Sequence, residues 1–331
     1  MTSPFYLFRL PQLVYSMIIN SMTVTEQILL SLCSLKTNSI VKYFRRDTRK
    51  ITLNVRNNAL VTVVVEGSNE QLRIGQMLQP GPVDQKVTIN GKSKRFGYSK
   101  LLYAIGTYWD DMETGTMEVI EYLDKLLSAK VEILEISDES GGRIMNWLQR
   151  RQRQISKVIV FNQRKTVFEV ESLSNIIRDC EAKHICLDVN TGGKPFEIQN
   201  SHGKCVLFQC KDDTVISVEN LMQIEAPEIY LTNRRYTDAE IDLFLRHWMN
   251  GGNPNLKALF IPHLIYDGVN VASNLPVSRR RGDKRYRSVI DSELSFSMYG
   301  GYKIKRNDGT IARFYDDSED FFCFALEKVL H

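Results

Sequence analysis

Apolar residues recur at helical spacing along the first part of the chain. Leu10, Val14 and Ile18 stand four residues apart, which places their side chains on one face of an α-helix. Pro11 fits the first turn of that helix, where its missing N–H is not needed. A capping-box spacing at Thr23–Glu26 precedes a second run, and a third run ends near Phe44. The pattern predicts three short helices within residues 4–46; the second includes Leu29, Leu32 and Cys33.

The period then changes to the alternation typical of β-strands. Ile51–Val55 alternates and Leu60–Val65 is rich in β-branched residues. Val87–Ile89 is followed by Asn90-Gly91, a dipeptide that favours a tight hairpin turn. We expect a small antiparallel β region over residues 50–92.

Short apolar runs then recur through the middle of the chain. They are Val131–Ile136, Lys157–Phe161, His184–Val189, Cys205–Phe208, Glu228–Leu231 and Lys257–Ile261. Matched positions lie 21 to 29 residues apart, and most gaps contain a helical segment. Strand–helix units of this length are typical of a leucine-rich-repeat-type solenoid, in which stacked units line their strands into one parallel sheet. We therefore predict an irregular solenoid of this kind over residues 115–265, with helices on the opposite side.

The competing fold for this region is a doubly wound α/β domain. Against it, no Gly-x-Gly-x-x-Gly follows any of the strands, and the units are shorter than usual βαβ units. The last section, residues 288–331, contains an Asp308-Gly309 hairpin signal. A closing helix is expected over about Ser318 to Leu330. The fold class is therefore α/β.

Composition adds little about partners or location. Lys plus Arg exceed Asp plus Glu by 43 to 39, so a nucleic-acid partner is not indicated. The amino terminus lacks a secretory pattern and no stretch has the length of a membrane span, which favours the cytoplasm or the nucleus. Six scattered cysteines then remain reduced. Cys205 and Cys210 are five residues apart in a strand-like run, so they point to opposite faces and are expected to be buried structural residues rather than zinc ligands.

Residue patterns for catalysis are absent. None of the five histidines has metal-site spacing with another, and Gly192-Gly193-Lys194 is better interpreted as a turn than as a phosphate loop. We therefore expect no enzyme activity, no catalytic residue, no cofactor and no metal. The basic stretch Arg279–Arg287 is interpreted as a polar loop, with a nuclear import signal or nucleic-acid patch as the less favoured alternative.

The helical segment carries more apolar side chains than a unit of roughly forty residues can bury on itself. Either a partner protein covers this surface, or the helices cap the next domain of the same chain. Exposure of the apolar side chains distinguishes the two possibilities.

Two segments carry a resemblance to known families. Phe8–Pro11, followed by the apolar ladder and Leu30-Ser31-Leu32-Cys33-Ser34 with Lys36 after it, resembles the F-box. Phe244–Leu256 and Gly300–Thr310 are similar to the type 2 F-box-associated domain of the large nematode F-box family.

The resemblance implies a substrate-recognition adaptor of an SCF-type cullin–RING ubiquitin ligase. The F-box would bind a Skp-type adaptor, and through it a cullin and a RING protein, while the other domain binds a target protein. The adaptor-binding residues expected on this basis are Leu10, Pro11, Val14, Ile18, Leu29, Leu32 and Cys33. The alternative is a repeat-based binding module outside any ligase, whose helices cap its own core.

Target recognition is expected at the ends of the predicted strands, because the loops that follow parallel strands gather along one rim of a solenoid. The residues at or just after these ends are Asp188, Asn190, Lys211, Asn233, Arg234 and Arg235. Three of them are cations, which indicates an acidic or phosphorylated target segment; the alternative is that they only solvate the loop tips.

Overall fold

The protein is described by a computed structural model that divides into two compact units. Unit 1 is Met1–Leu148 and unit 2 is Gln149–His331. The residues that the structure describes are 7–44, 49–56, 60–66, 71–75, 85–99, 104–137, 139–162, 167–194, 196–199, 203–211, 214–232, 234–263, 275–317 and 321–331.

Unit 1 begins with the three helices predicted from the apolar pattern. After a 3-10 turn at Leu7–Arg9 come α1 (Gln12–Ser21), α2 (Val24–Cys33) and α3 (Leu35–Phe44). The capping box at the start of α2 is complete. The Glu26 N–H donates to Thr23 Oγ1 over 3.2 Å, and the Thr23 N–H donates to Glu26 Oε2 over 2.8 Å. These reciprocal bonds satisfy backbone donors that the first turn of a helix leaves unpaired.

A sheet follows, and most of its pairs are antiparallel, as predicted. Its strands are β1 (Lys50–Arg56), β2 (Leu60–Val65), β3 (Gln71–Gly75), β4 (Gln85–Ile89), β5 (Lys92–Ser99) and β6 (Ala104–Tyr108). Then come α4 (Met112–Leu127) and β7 (Lys130–Ile136). The pairs β1–β7 and β3–β6 are parallel. Asn90 and Gly91 have φ of 47° and 82° and form the predicted hairpin turn between β4 and β5.

Polar contacts join α2 and α3 to α4. The Tyr122 hydroxyl on α4 lies 2.6 Å from Ser31 Oγ and 3.0 Å from Asn38 Nδ2. Ser31 donates its own proton to the Ile28 carbonyl over 2.6 Å, so Tyr122 donates to Ser31 and accepts from Asn38. One side of the helical segment is therefore fixed on α4, within unit 1.

Unit 2 contains parallel strands in chain order. α5 (Glu139–Arg151) spans the residue at which the units divide. It is followed by β8 (Lys157–Phe161), α6 (Val170–Asp179), β9 (His184–Asp188), β10 (Leu207–Cys210), α7 (Val218–Gln223), β11 (Glu228–Leu231), α8 (Asp238–Met249) and β12 (Ala258–Pro262). Each strand from β8 to β12 pairs in parallel with the next. Five of the six predicted strands thus form one parallel sheet, and the first, Val131–Ile136, is part of β7 in unit 1, parallel to β1.

The end of unit 2 contains strands where two other structures were expected. Its elements are β13 (Ser278–Arg279), β14 (Asp283–Arg287), β15 (Ser295–Tyr299), β16 (Tyr302–Lys305), β17 (Ile311–Asp317) and β18 (Phe321–Leu326). The predicted hairpin is present as β16–β17. The prediction of a loop over the basic stretch was wrong, since Arg279–Arg287 includes the last residue of β13 and all of β14. Within β14 only Tyr286 is buried, so the sequence there has no apolar alternation.

The prediction of a closing helix was also wrong. Its described part is β18 followed by a 3-10 turn at Glu327–Val329. β18 pairs antiparallel with both β12 and β17, and five of its six residues are buried. A strand covered on both faces has a continuous apolar run, which periodicity does not distinguish from a buried helix.

The two faces of the unit 2 sheet are covered by different elements. On one face, Phe324 of β18 makes edge-to-face contacts with Phe244 and Trp248 of α8. On the other face, Phe260 of β12 packs against Phe296 of β15. The β14–β15 hairpin therefore occupies part of the sheet face opposite α8.

We predict that Tyr122→Phe lowers the free energy of unfolding by about 1–2 kcal/mol, because it removes a buried hydroxyl that bridges two helices. The midpoint of urea unfolding of the full chain measures the effect. Tyr43→Phe is the matched control, since Tyr43 is 74% exposed and its change should stay within about 0.5 kcal/mol. Equal effects of the two substitutions would contradict the role of the Tyr122 hydroxyl.

Candidate protein-binding surfaces

Large apolar side chains are exposed on the first and third helices. Leu13 and Met17 of α1 are 72% and 64% exposed, and Leu35 and Tyr43 of α3 are 83% and 74% exposed. With Val14 they form what we call the exposed apolar set. These five are among only twelve exposed large apolar side chains in the described part of the chain, so apolar exposure is concentrated in the helical segment. Such concentration is typical of a protein-binding surface.

The residues predicted to bind an adaptor lie at or near the surface of the same segment. Pro11, Val14 and Cys33 are exposed, while Leu10, Ile18, Leu29 and Leu32 are half-buried. The opposite sides of the helices supply the core, with Ile19, Ile28 and Val41 nearly fully buried. Sequence reasoning missed Leu13, Met17, Leu35 and Tyr43 as candidate contacts. The spacing of four residues between Leu13 and Met17, which places both on one helix face, could have identified these two from the sequence.

The parallel strands bring several of the predicted target-binding residues to one edge of the sheet. Leu187, Cys210 and Leu231 are aligned across β9, β10 and β11. Asp188 and Lys211 stand at the next position of their strands, and the Lys211 N–H donates to the Leu187 carbonyl over 2.8 Å. We call this edge the carboxyl rim. The register of the sheet therefore places an acidic and a basic side chain in adjacent positions.

Other predicted residues have local structural contacts. The Asn190 side chain accepts the Gly192 N–H over 2.7 Å, which shapes the turn at Gly192-Gly193. Arg234 donates to Glu240 Oε1 over 2.5 Å, and its guanidinium lies 5.3 Å from the centre of the Tyr236 ring. Its side chain is thus held against the start of α8. Arg235 is exposed, and Asn233 lies outside the described residues.

Buried polar groups on the unit 2 sheet were not anticipated from the sequence. His184 Nε2 and Gln209 Oε1 lie 3.1 Å apart on adjacent strands, and burial lowers the pKa of His184 to about 4. Glu228 accepts hydrogen bonds from the Ser288 hydroxyl and, over 3.2 Å, from the Val289 N–H. This pair of bonds attaches the β14–β15 hairpin to β11. In the sequence, the only sign of this contact was Glu228, a charged residue at the start of the apolar run Glu228–Leu231.

The two segments that resemble F-box-associated sequences pack against each other. The Arg306 guanidinium lies 5.3 Å from the centre of the Trp248 ring, and the Asn307 N–H donates to the Met249 carbonyl over 3.0 Å. Asn253, 4% exposed, donates to the Leu221 and Ile224 carbonyls at the end of α7. Both segments therefore have structural contacts within unit 2.

The cysteine thiols of unit 2 are buried. Burial raises the pKa of Cys180 and of Cys205 to about 12 and also raises that of Cys210, which keeps the thiols protonated. Among the described residues, no cluster of three or more His, Cys, Asp or Glu could hold a metal ion. None of the helices in the described ranges combines the length and apolar character of a membrane span.

Comparison with known proteins identifies one part of unit 2. No curated protein and no solved structure matches the chain. A protein-family model described as F-box associated matches residues 196–261. The matched range contains β10 to β12 with α7 and α8, including the parallel strands of the carboxyl rim from β10 onward. Residues 196–261 are therefore similar to F-box-associated sequences.

Proposed function

We propose that this protein is a substrate-recognition adaptor of an SCF-type cullin–RING ubiquitin ligase. In this proposal the helical segment is an F-box that binds a Skp-type adaptor, and the F-box-associated region binds the target protein. The chain performs no chemistry itself. It holds a target lysine near a charged conjugating enzyme, which raises the effective concentration of the two reacting groups.

The observation that carries the proposal is the exposed apolar set. A helical segment that only capped its own chain would bury these side chains, yet Leu13, Met17 and Leu35 are each more than half exposed. The opposite side of the segment is already packed on α4 through Tyr122. The cap alternative therefore accounts for one side of the helices but not for the other.

Target recognition is assigned by this proposal to unit 2, interpreted as an irregular leucine-rich-repeat-like solenoid. Consecutive parallel strands support that interpretation, and the carboxyl rim is the edge at which the loops after these strands begin. Part of one sheet face is occupied by the β14–β15 hairpin through Phe260 and Phe296. The rim therefore becomes the favoured target-binding surface, with Lys211 and Arg235 as its exposed cations.

We predict that the double variant Leu13→Asp/Met17→Asp loses binding to a Skp-type adaptor. Full burial of a Leu or Met side chain contributes roughly 1.5–3 kcal/mol, so losing half of that at two positions weakens binding on the order of 100-fold. Pull-down and calorimetric titration with the purified adaptor measure the loss.

The matched control for this test is Val167→Asp/Val215→Asp. These positions are also exposed, at 55% and 48%, but they lie in unit 2. The control should bind the adaptor like the wild type, and both variants should keep the wild-type unfolding midpoint because no buried side chain changes. Wild-type adaptor affinity in the α1 variant would refute the proposed F-box surface.

For the carboxyl rim, we predict that Lys211→Glu/Arg235→Glu abolishes capture of targets and leaves adaptor binding intact. Quantitative mass spectrometry of proteins co-purified from cells measures capture, with the Skp-type adaptor as the internal reference. Lys183→Glu/Lys257→Glu makes the same charge change at exposed positions just before β9 and β12, at the other edge of the sheet. An unchanged set of co-purified proteins in the rim variant would show that targets bind at a surface other than the carboxyl rim.

A further inference from the structure

The basic stretch Arg279–Arg287 of unit 2 is not used by the proposed function. It contains five arginines, one lysine and one aspartate, which give a formal charge of +5. The whole chain has a formal charge of +4, so all other residues together have a charge of −1. The excess positive charge of the protein is therefore concentrated in this one stretch, which we call the basic segment.

Strand alternation places two of these arginines on the exposed face of the β14–β15 hairpin. Arg285 and Arg287 are exposed, whereas Tyr286 between them is buried. Tyr286 stacks on Phe296 of β15, and both belong to the core that the hairpin forms with β12 and β18. The opposite face of the hairpin is directed to solvent, and we call it the outer hairpin face. Its members are Asp283, Arg285, Arg287, Ser295, Ser297 and Tyr299.

The register of the hairpin brings the two cations of this face together. Ser295 is directly opposite Arg287, and the Arg285 guanidinium donates to Ser295 Oγ over 3.3 Å. The Arg285 side chain therefore extends toward the position that faces Arg287. Within the described ranges, no ion pair joins a carboxylate to these two arginines or to the three at the start of the basic segment. Their charge is thus available to a partner.

Hydrogen bonds fix the backbone that carries these side chains. The Arg280 N–H donates to the Gly301 carbonyl over 2.7 Å. Arg285 and His331 exchange two backbone bonds, of 2.9 and 3.0 Å, along the edge of β14 that does not face β15. A partner that binds to a backbone already held in place loses less conformational entropy than one that must order a mobile loop. The basic segment is therefore prepared for binding.

Exposed apolar side chains lie at both ends of the outer hairpin face. Tyr299, directly opposite Asp283, is 63% exposed, and Val289 and Ile290, just after β14, are 75% and 36% exposed. These three are half of the six exposed large apolar side chains in the described part of unit 2. The cations thus lie between two apolar positions, a combination that loop solvation does not require.

The composition of this surface favours a protein over a nucleic acid. Protein interfaces are enriched in arginine and tyrosine and depleted in lysine, and the basic segment has five arginines to one lysine. Single-stranded nucleic acids bind to series of stacked rings, whereas Tyr299 is the one aromatic ring on the outer hairpin face. Asp283 on the same face would also repel a partner with uniform negative charge.

The distribution of the cations favours several carboxylates over one phosphate. Arg285 and Arg287 are two residues apart on a strand, so their Cα atoms are separated by about 7 Å. Carboxylates two residues apart in an extended peptide have the same spacing, and the planar guanidinium group matches a carboxylate in two hydrogen bonds. A single phosphate would leave the charge at the start of the basic segment unbalanced.

We propose that the outer hairpin face binds an extended acidic segment of a partner protein, in which alternate carboxylates pair with Arg285 and Arg287 and an apolar residue contacts Val289. This inference rests on the proposed function only for the role of the partner, which would be a target protein. It adds a contact surface that is separate from the carboxyl rim. Binding does not require a ligase and can be measured on the purified chain.

The test is fluorescence polarisation of the purified full chain with three labelled libraries of nine-residue peptides. One library has Glu at three alternate positions, the second has Gln at the same positions, and the third has one central phosphoserine; all other positions are random. The Glu library should bind more than tenfold tighter than the Gln library and tighter than the phosphoserine library.

Variants assign the binding to the outer hairpin face. Arg285→Glu/Arg287→Glu should weaken binding of the Glu library at least tenfold, and Arg285→Gln/Arg287→Gln, which removes charge without adding repulsion, should weaken it by a smaller factor. Both should keep the wild-type unfolding midpoint, because the two side chains are exposed. Lys183→Glu/Lys257→Glu makes the same charge change elsewhere in unit 2 and should bind like the wild type.

The proposal is overturned by equal binding of the Glu and Gln libraries, by tighter binding of the phosphoserine library, or by unchanged binding in both arginine variants. Tighter binding of a single-stranded oligonucleotide that depends on the same arginines would also overturn it. Affinity for the purified Skp-type adaptor is measured on the same samples. Absence of adaptor binding in the wild type would contradict the proposed function, whereas a failure confined to the peptides would contradict the outer hairpin face alone.

Discussion

The number of apolar side chains that three short helices can bury is limited by their size. α1, α2 and α3 together have too small an interior for their Leu, Ile, Val and Met residues, so burial must come from outside the segment. The rest of unit 1 covers one side of the three helices. Ile19, Ile28 and Val41 are buried, and the Tyr122 hydroxyl joins α2 and α3 to α4.

The remaining side of the helices has no such cover in the described part of the chain. Leu13 and Met17 lie four residues apart on α1, so they share a face, and α3 adds Leu35 and Tyr43. Burying this surface on a partner lowers the free energy of the complex without any change in the packing on α4. The same physical limit thus fixes one side of the helices on the chain and leaves the other side exposed, as the proposed adaptor function requires.

In unit 2, strands β9 to β12 are buried on both faces for most of their length. Val158, Ile185, Phe208 and Ile229 occupy matched positions of neighbouring parallel strands. Elements from the end of the chain complete this core, since Phe324 packs on α8 and Ser288 bonds to the buried Glu228. The contacts of Arg306 with Trp248 and of Asn307 with Met249 join the two segments that resemble F-box-associated sequences.

Sequence alone predicted those elements whose signal is local. The capping box at Thr23 begins α2 as expected, and Asn90-Gly91 and Asp308-Gly309 form the expected hairpin turns. β18 was mistaken for a helix because Phe321–Leu326 is apolar on both faces. β14 was mistaken for a loop because its only buried residue is Tyr286. Neither error could be avoided from local patterns, since burial of both strands depends on neighbours distant in sequence.

The same limit applies to the candidate sites. Helical spacing indicated one apolar face, but which sides of α2 and α3 pack on the chain depends on Tyr122, which is 91 residues from Ser31 and 84 residues from Asn38 in the sequence. The carboxyl rim could be inferred because the ends of parallel strands meet at one edge.

The most direct test of the central claim is hydrogen–deuterium exchange of the full chain, alone and with a purified Skp-type adaptor. A bound partner slows exchange in the elements that it stabilises. We predict slower exchange in peptides from α1 and α3 on addition of the adaptor, with no change in β8 to β12. Unchanged exchange across residues 7–44 at a saturating concentration of adaptor would contradict the claim that the exposed side of these helices is a binding surface.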